Sequence, residues 1–276
     1  MEKITKAQVK MVRSLQQKKF RDELGFFVAE GEKCVDELRK NFELVHLFRE
    51  GENATHTEIE QMSSLRTPQG VIAVFRQSNR SQAGLTAKRS NSASGLTGEA
   101  GLFLALDSIQ DPGNLGTIIR TCDWFGVHDI FCSLDTADCY NPKVVQATMG
   151  ALARVQLHYV NLPQWLTSIR QQSPDISIFG TLLEGRDMYQ LLTAKRSNSE
   201  AVQQRSGLTA EFGPSIIIMG NEGNGISPQV RSLITHPIRI PSYPADAETS
   251  ESLNVSIATA IVLAEFRRQY YPKRVK

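Results

Sequence analysis

With 276 residues, 41% of them hydrophobic and 22% charged, the chain has an ordinary globular balance and length enough for one or two domains at roughly 100–200 residues each. A net charge of +2 selects no class of partner. No apolar run reaches the ~20 residues of a membrane span, and Met1-Glu2-Lys3-Ile4-Thr5-Lys6 lacks the apolar centre of an export signal, so a cytoplasmic protein with no membrane partner is expected.

In chain order, Thr5 can cap a helix running to about Phe20, with Val9, Val12 and Leu15 at helical spacing. Phe26–Ala29 reads as a strand, Glu32–Lys40 as a helix, and Leu44–Phe48 and Gly70–Phe75 as further strands. Residues 1–76 thus form a small α/β unit. Residues 77–100 are rich in Ser, Asn, Ala, Gly and Thr, which is linker chemistry. The octapeptide Leu85–Ser92 recurs as Leu192–Ser199, and both copies are expected to be inserted surface segments, because long loops cost little closure entropy.

Residues 101–276 alternate apolar runs with helical patterns. Strands are predicted at Leu102–Leu106, Asp129–Cys132, Val155–Tyr159, Ile176–Gly180, Ser215–Met219 and Pro237–Ile240. Helices are predicted at about 115–125, 142–152, 162–171, 227–234 and 253–269. Such alternation implies a parallel sheet covered on both faces, with ligands at the carboxyl ends of its strands.

The four cysteines, Cys34, Cys122, Cys132 and Cys139, form no Cys-x-x-Cys pair, and His46, His56, His128, His158 and His236 have no metal-ligand spacing. No metal site is expected. Two basic ends, Lys3 to Arg21 and Arg267 to Lys276, could touch phosphates or simply be solvated.

Three loops after strands carry chemistry. In Asp107–Arg120, Pro112-Gly113 makes a turn, Asn114 is the expected helix cap, and Arg120 is expected in the second helical turn, with Gly116 leaving room beside its guanidinium. An Arg there can fork onto a phosphate, or be an ordinary surface residue. The second loop, Gly220-Asn221-Glu222-Gly223-Asn224-Gly225, allows close backbone approach before Ser227 and Pro228 begin a helix. It is neither a P-loop nor a dinucleotide fingerprint, and Glu222 would repel polyphosphates. In the third, Ser252 is the expected cap, Asn254 an early-turn residue, and Leu253, Ile257, Ala260, Ile261 and Ala264 one apolar helical face. The polar groups of that turn can cap the helix or bond a substrate at its N-terminus.

Asn-x-Gly-x-x-x-Arg at 114–120, Gly-x-Glu-x-x-Gly at 220–225 and Ser-Leu-Asn-Val-Ser at 252–256 resemble the three motifs of SpoU/TrmH-type RNA ribose methyltransferases. The resemblance spans residues 102–270, and residues 1–76 resemble the small L30e-like substrate-binding domain that precedes the catalytic domain in many members. It implies a parallel-sheet SPOUT fold with a C-terminal trefoil knot, a topology no pattern argument would suggest. It also implies S-adenosyl-L-methionine as cofactor, held by backbone groups at Gly220, Ile240 and Leu253. Arg120 becomes the central catalytic residue, completed by Asn114, Glu222, Ser252 and Asn254. A homodimer acting on RNA, ribosomal before transfer RNA, follows from the same resemblance. The loop from Ile240 to Ser252 is longer than the family pattern and adds Asp246, Glu248 and Glu251.

A guanidinium is protonated at any working pH, so Arg120 is read as a phosphate anchor and alkoxide stabiliser rather than a base. The competing readings are a catalytically silent RNA-binding protein and a nicotinamide-dependent oxidoreductase. The second lacks the glycine fingerprint after its first strand.

Overall fold

The computed structural model describes residues 3–78, 101–194, 214–244 and 252–270. The linker 77–100, apart from Gln77 and Ser78, and the first copy of the octapeptide lie outside them. The chain divides into two compact units: residues 1–81, 111–123 and 137–156 form the first, and 82–110, 124–136 and 157–276 the second.

The first unit opens with α1 (Lys6–Ser14), started by a capping box in which Thr5 accepts from the Gln8 backbone and Gln8 reaches back to Thr5. The single helix expected up to Phe20 is broken in two, with α2 (Lys18–Leu24) following a short turn. Arg21 is the reason. Only 2% exposed, it donates to the carbonyls of Leu15 and Gln16 at 2.9 Å each, satisfying acceptors at the end of α1. It also donates two bonds to Asp138 at 2.6 and 3.0 Å. The unit continues with β1 (Phe26–Glu30), α3 (Glu32–Leu38), β2 (Leu44–Arg49), α4 (His56–Met62) and β3 (Val71–Arg76). The strands form an antiparallel sheet in the order β1-β3-β2. Its apolar residues Val28, Ile72, Val74 and Phe48 pack with Val12, Leu15, Ile59 and Met62. Sequence reading passed over α4, although Thr55 and Glu58 form a capping box.

From residue 101 the elements are β4 (Leu102–Leu106), α5 (Pro112–Trp124), β5 (Asp129–Ser133), α6 (Pro142–Thr148), β6 (Gln156–Val160), α7 (Leu162–Gln172), β7 (Ser177–Asp187), α8 (Met188–Ala194), β8 (Ser215–Met219), α9 (Pro228–Arg231), β9 (His236–Arg239) and α10 (Val255–Tyr270). Most of α5 and all of α6 belong to the first unit. The strands form a six-stranded sheet, β6-β5-β4-β8-β7-β9, with β4/β5, β4/β8, β7/β8 and β7/β9 parallel. β4 and β8 are buried along their whole lengths, as expected of unbroken apolar runs in a parallel sheet. In the second unit Phe103, Phe131, Ile178, Ile216 and Ile218 pack with Leu162, Trp165, Leu166 and Ile169.

Two expectations fail here. Leu192, the first residue of the second octapeptide, is 3% exposed and belongs to α8, so that copy does not begin as a surface insert; residues 195–199 lie outside the described ones. The predicted apolar face of α10 is not its core face. Leu253 and Ile257 are 47% and 54% exposed, while Val255, Val262, Leu263 and Phe266 are buried. Helical spacing identified a stripe, but a helix apolar on more than one side does not say which side turns inward.

Candidate active site

Because the strands are parallel, β4, β8 and β9 all end on one edge of the sheet, and the loops beginning at Asp107, Gly220 and Ile240 leave from that edge. The sequence pattern expects ligand-binding loops at this edge. Gly220 follows β8 directly. A Cβ there would lie 2.4 Å from the Gly225 carbonyl carbon and 2.5 Å from the Ile226 nitrogen. The glycine is therefore required by the loop folding back on itself, and the approaching backbone is the chain's own. Asn221 and Gly225 exchange backbone hydrogen bonds at 3.0 and 2.9 Å, closing the loop. The Asn221 side-chain oxygen accepts from the backbones of Gly223 and Asn224 at 2.9 and 3.0 Å. Glu222 is exposed on this loop.

The loop is also tied to the end of β4. Asp107, 4% exposed, accepts from the Ser227 backbone at 2.7 Å, just ahead of Pro228, which occupies the first turn of α9. Asn221 donates from its amide to the Ser108 carbonyl at 2.8 Å. Sequence reading gave Asp107, Ser108 and Asn221 no role. Their signal is position alone, at the carboxyl ends of β4 and β8.

The turn before α10 differs from expectation. Asn254, not Ser252, caps the helix: its side-chain oxygen accepts from the Ser256 backbone at 3.0 Å, the Ser256 hydroxyl at 2.6 Å and the Ile257 backbone at 3.4 Å. Ser252 lies two residues earlier, exposed, beside the exposed Leu253. Residues 245–251, with Asp246, Glu248 and Glu251 of the longer loop, are outside the described residues. Ile240 is half-buried just past β9.

Asn114 and Arg120 belong to the first unit, on α5. That helix begins earlier than expected, at Pro112, and its cap is Asp111, which accepts from the Asn114 backbone at 2.7 Å. Asn114 thus lies inside the first turn rather than capping it, and Arg120 falls in the third turn rather than the second. Gly116 does not make room for a guanidinium. A Cβ there would meet the Ala147 side chain at 2.5 Å and the Val144 carbonyl at 2.9 Å, so its absence lets α6 pack close. Arg120 is exposed, and among the described residues no hydrogen bond or ion pair engages it. Arg154 forks onto Asp123 at 2.8 Å and reaches Glu37 at 2.5 Å, and these carboxylates raise its pKa above the usual arginine value.

Among the described residues no group of three or more His, Cys, Asp or Glu is placed to hold a metal ion, and no helix is long and apolar enough to cross a membrane.

The SpoU rRNA methylase family matches residues 101–264, and the MRM3-like substrate binding domain matches residues 6–59. The chain is 26% identical to the 23S rRNA (guanosine(2553)-2′-O)-methyltransferase RlmP of Bacillus subtilis, over 94% of this chain and 95% of that one. Several other curated relatives match over 46% to 62% of their own lengths. Among solved structures, one described as a putative RNA methyltransferase of the TrmH family from Porphyromonas gingivalis superposes with a TM-score of 0.74 at 34% identity, covering 96% of this chain and 98% of that one. An AdoMet-bound rRNA methyltransferase from Sinorhizobium meliloti gives 0.73 at 27% identity, covering 99% and 98%. With more than half its length matched to that family's model, the chain belongs to the SpoU rRNA methylase family.

Proposed function

We propose that the protein transfers the methyl group of S-adenosyl-L-methionine to a ribose 2′-hydroxyl of RNA, with ribosomal RNA as substrate. Transfer RNA is the alternative. Residues 1–76 act as the substrate-binding domain, 77–100 as linker and 101–276 as the catalytic domain. The full-length likeness to RlmP, with a substrate-binding match ahead of the methylase match, favours the ribosomal reading. One observation carries the catalytic reading: Arg120, at the end of the first motif of a family member, stands exposed with no hydrogen bond or ion pair among the described residues, while Arg21 and Arg154 of the same unit are paired with carboxylates.

The carboxyl edge of the sheet fits the cofactor. Gly220 and Ile240 leave it from β8 and β9, with backbone rather than charged side chains at both positions, as suits a sulfonium ligand carrying an adenosine. Gly220, Ile240 and Leu253 are the proposed cofactor contacts. When bound, the cofactor would supply an electrophilic methyl group and leave as the neutral thioether, the 2′-hydroxyl proton being released to solvent. The protein's own work is alignment, worth up to roughly 7–11 kcal/mol in favourable systems. Arg120 forks onto an RNA phosphate and stabilises charge developing on the 2′-oxygen. Asn114, Glu222, Ser252 and Asn254 are the further proposed catalytic residues, Ser252 and Asn254 as groups that orient the hydroxyl.

The active form is a homodimer in the cytoplasm. Support for the dimer comes from Leu253 and Ile257, apolar and about half exposed at the start of α10. Ile257→Lys is expected to give a monomer by sedimentation, and an unchanged mass would reject this face as the interface.

The test of function is transfer of tritiated methyl from S-adenosyl-L-methionine to purified ribosomal RNA, followed by mapping of the modified nucleotide. Label in the base instead of the ribose, or none with either RNA class, would reject the proposal. Comparing Arg120→Lys with Arg120→Ala tests the role of the guanidinium. A lysine variant with nearly full turnover would exclude bidentate anchoring.

A further inference from the structure

Ser108 is one of two described non-glycine residues with a positive φ, +60°. It sits immediately after Asp107, where the chain leaves β4. An L-residue is disfavoured there and needs local bonds to hold it. All three of its polar groups are bonded. Its backbone nitrogen donates to the Ser133 hydroxyl at 2.8 Å, its own hydroxyl donates to Asp135 at 2.5 Å, and its carbonyl accepts from the Asn221 amide at 2.8 Å. Ser133 is held in turn by Thr136 at 2.9 Å. A continuous chain of hydrogen bonds therefore runs from the turn at 133–136, through Ser108, into Asn221. From there it reaches Gly223 and Asn224 at 2.9 and 3.0 Å.

We propose that Ser108, Asp135 and Asn221 are positioning residues for the cofactor loop. Asp135 anchors the Ser108 hydroxyl and locks the left-handed turn. The turn aims the Ser108 carbonyl at Asn221, and Asn221 fixes the shape of the Gly220–Gly225 loop. None of the three needs to touch the cofactor. The bond from Ser108, and then that from Ser133, hold the Asp135 carboxyl below the usual aspartate range, as expected of an acceptor that works ionised. The inference rests on the reading of 220–225 as a cofactor loop.

The experiment is calorimetric binding of S-adenosyl-L-methionine to the full chain, with turnover at saturating cofactor measured alongside. Ser108→Ala keeps a Cβ at positive φ and loses the anchor. Its affinity is expected to fall about five- to ten-fold, the scale of one hydrogen bond, with saturated turnover little changed. Ser108→Gly loses the same hydroxyl but adopts the turn freely, so it should recover most of the affinity. Asp135→Ala, at an exposed site that does not threaten folding, should mimic Ser108→Ala. Adding Asn221→Ala to Ser108→Ala should cost less than the two single losses combined, because both break one path. Wild-type affinity in Ser108→Ala or Asp135→Ala, equal loss in Ser108→Ala and Ser108→Gly, or full additivity with Asn221→Ala would each overturn the inference. A wild-type protein that binds no S-adenosyl-L-methionine would overturn the proposed function and this inference together.

Discussion

In the first unit Arg21 is closed on Asp138, and Arg154 on Asp123 and Glu37, whereas Arg120 has no ion pair among the described residues. In the second unit, Asp107 and Asn221 at the carboxyl edge of the parallel sheet are closed on backbone N–H and C=O groups of the loops there, and Asn254 on the first turn of α10. The contrast separates two tasks. On the proposed reading, one unit would offer an RNA phosphate the charge of Arg120. The other would offer the cofactor a shaped main chain, with its polar side chains used to hold the shape.

The comparison breaks first at the buried arginine. Arg21→Ala leaves Asp138, itself only 16% exposed, without its cation. The expected loss of unfolding free energy is about 3–5 kcal/mol, read from urea denaturation. A loss below about 1 kcal/mol would mean the pair is no more than a surface ion pair. Arg120→Ala should do the opposite. Turnover is expected to fall about 10²–10³-fold, the effect of removing one charge-stabilising group, with the denaturation midpoint unmoved. A midpoint loss matching that of Arg21→Ala would make Arg120 one more structural tie and end the distinction.

Much of this was legible in the chain itself, and the reasons for the remainder are physical. The strands of the second unit were readable because fully buried parallel strands are unbroken apolar runs; β4 and β8 fall where composition placed them. Helix starts were less legible. Asp111 and Asn114 are both good caps, and so are Ser252 and Asn254. Sequence alone does not rank two capping residues within one turn of each other, and in both helices the expected one was wrong. The α1–α2 break was hidden because its cause, Arg21, looks like a surface cation until its partner 117 residues away is known. The ties from Asp107 and Ser108 to the 220–227 loop join positions 113 and 120 residues apart, and no local pattern reports such a pair.

The cofactor side of the comparison is sharpened by two alanines in one loop. Gly220→Ala places a methyl group 2.4 Å from the Gly225 carbonyl carbon, so backbone must shift. Overpacking of this kind costs about 1–3 kcal/mol. Cofactor affinity should fall with stability, because the displaced atoms belong to the loop proposed to hold it. Gly223→Ala meets only the Asn221 side-chain oxygen at 3.6 Å, an ordinary contact, and should stay within about 0.5 kcal/mol of wild type. Equal effects at the two positions, by calorimetry and thermal melting, would show that the closed backbone of the loop is not what binds.

The smallest effect separates shape from chemistry at a single residue. Asn254 caps α10 through its side-chain oxygen, so Asn254→Ala should cost about 1 kcal/mol of stability whatever else the residue does. Asp is as good a cap and adds a favourable charge at the helix N-terminus, so Asn254→Asp should restore that stability. It cannot restore an amide N–H. If Asn254 orients the ribose hydroxyl through its amide, the aspartate variant folds like wild type and still turns over slowly. Should aspartate recover both melting temperature and turnover, the asparagine of the third motif would act only as a cap, and the backbone it fixes at Leu253 would remain its whole contribution to the site.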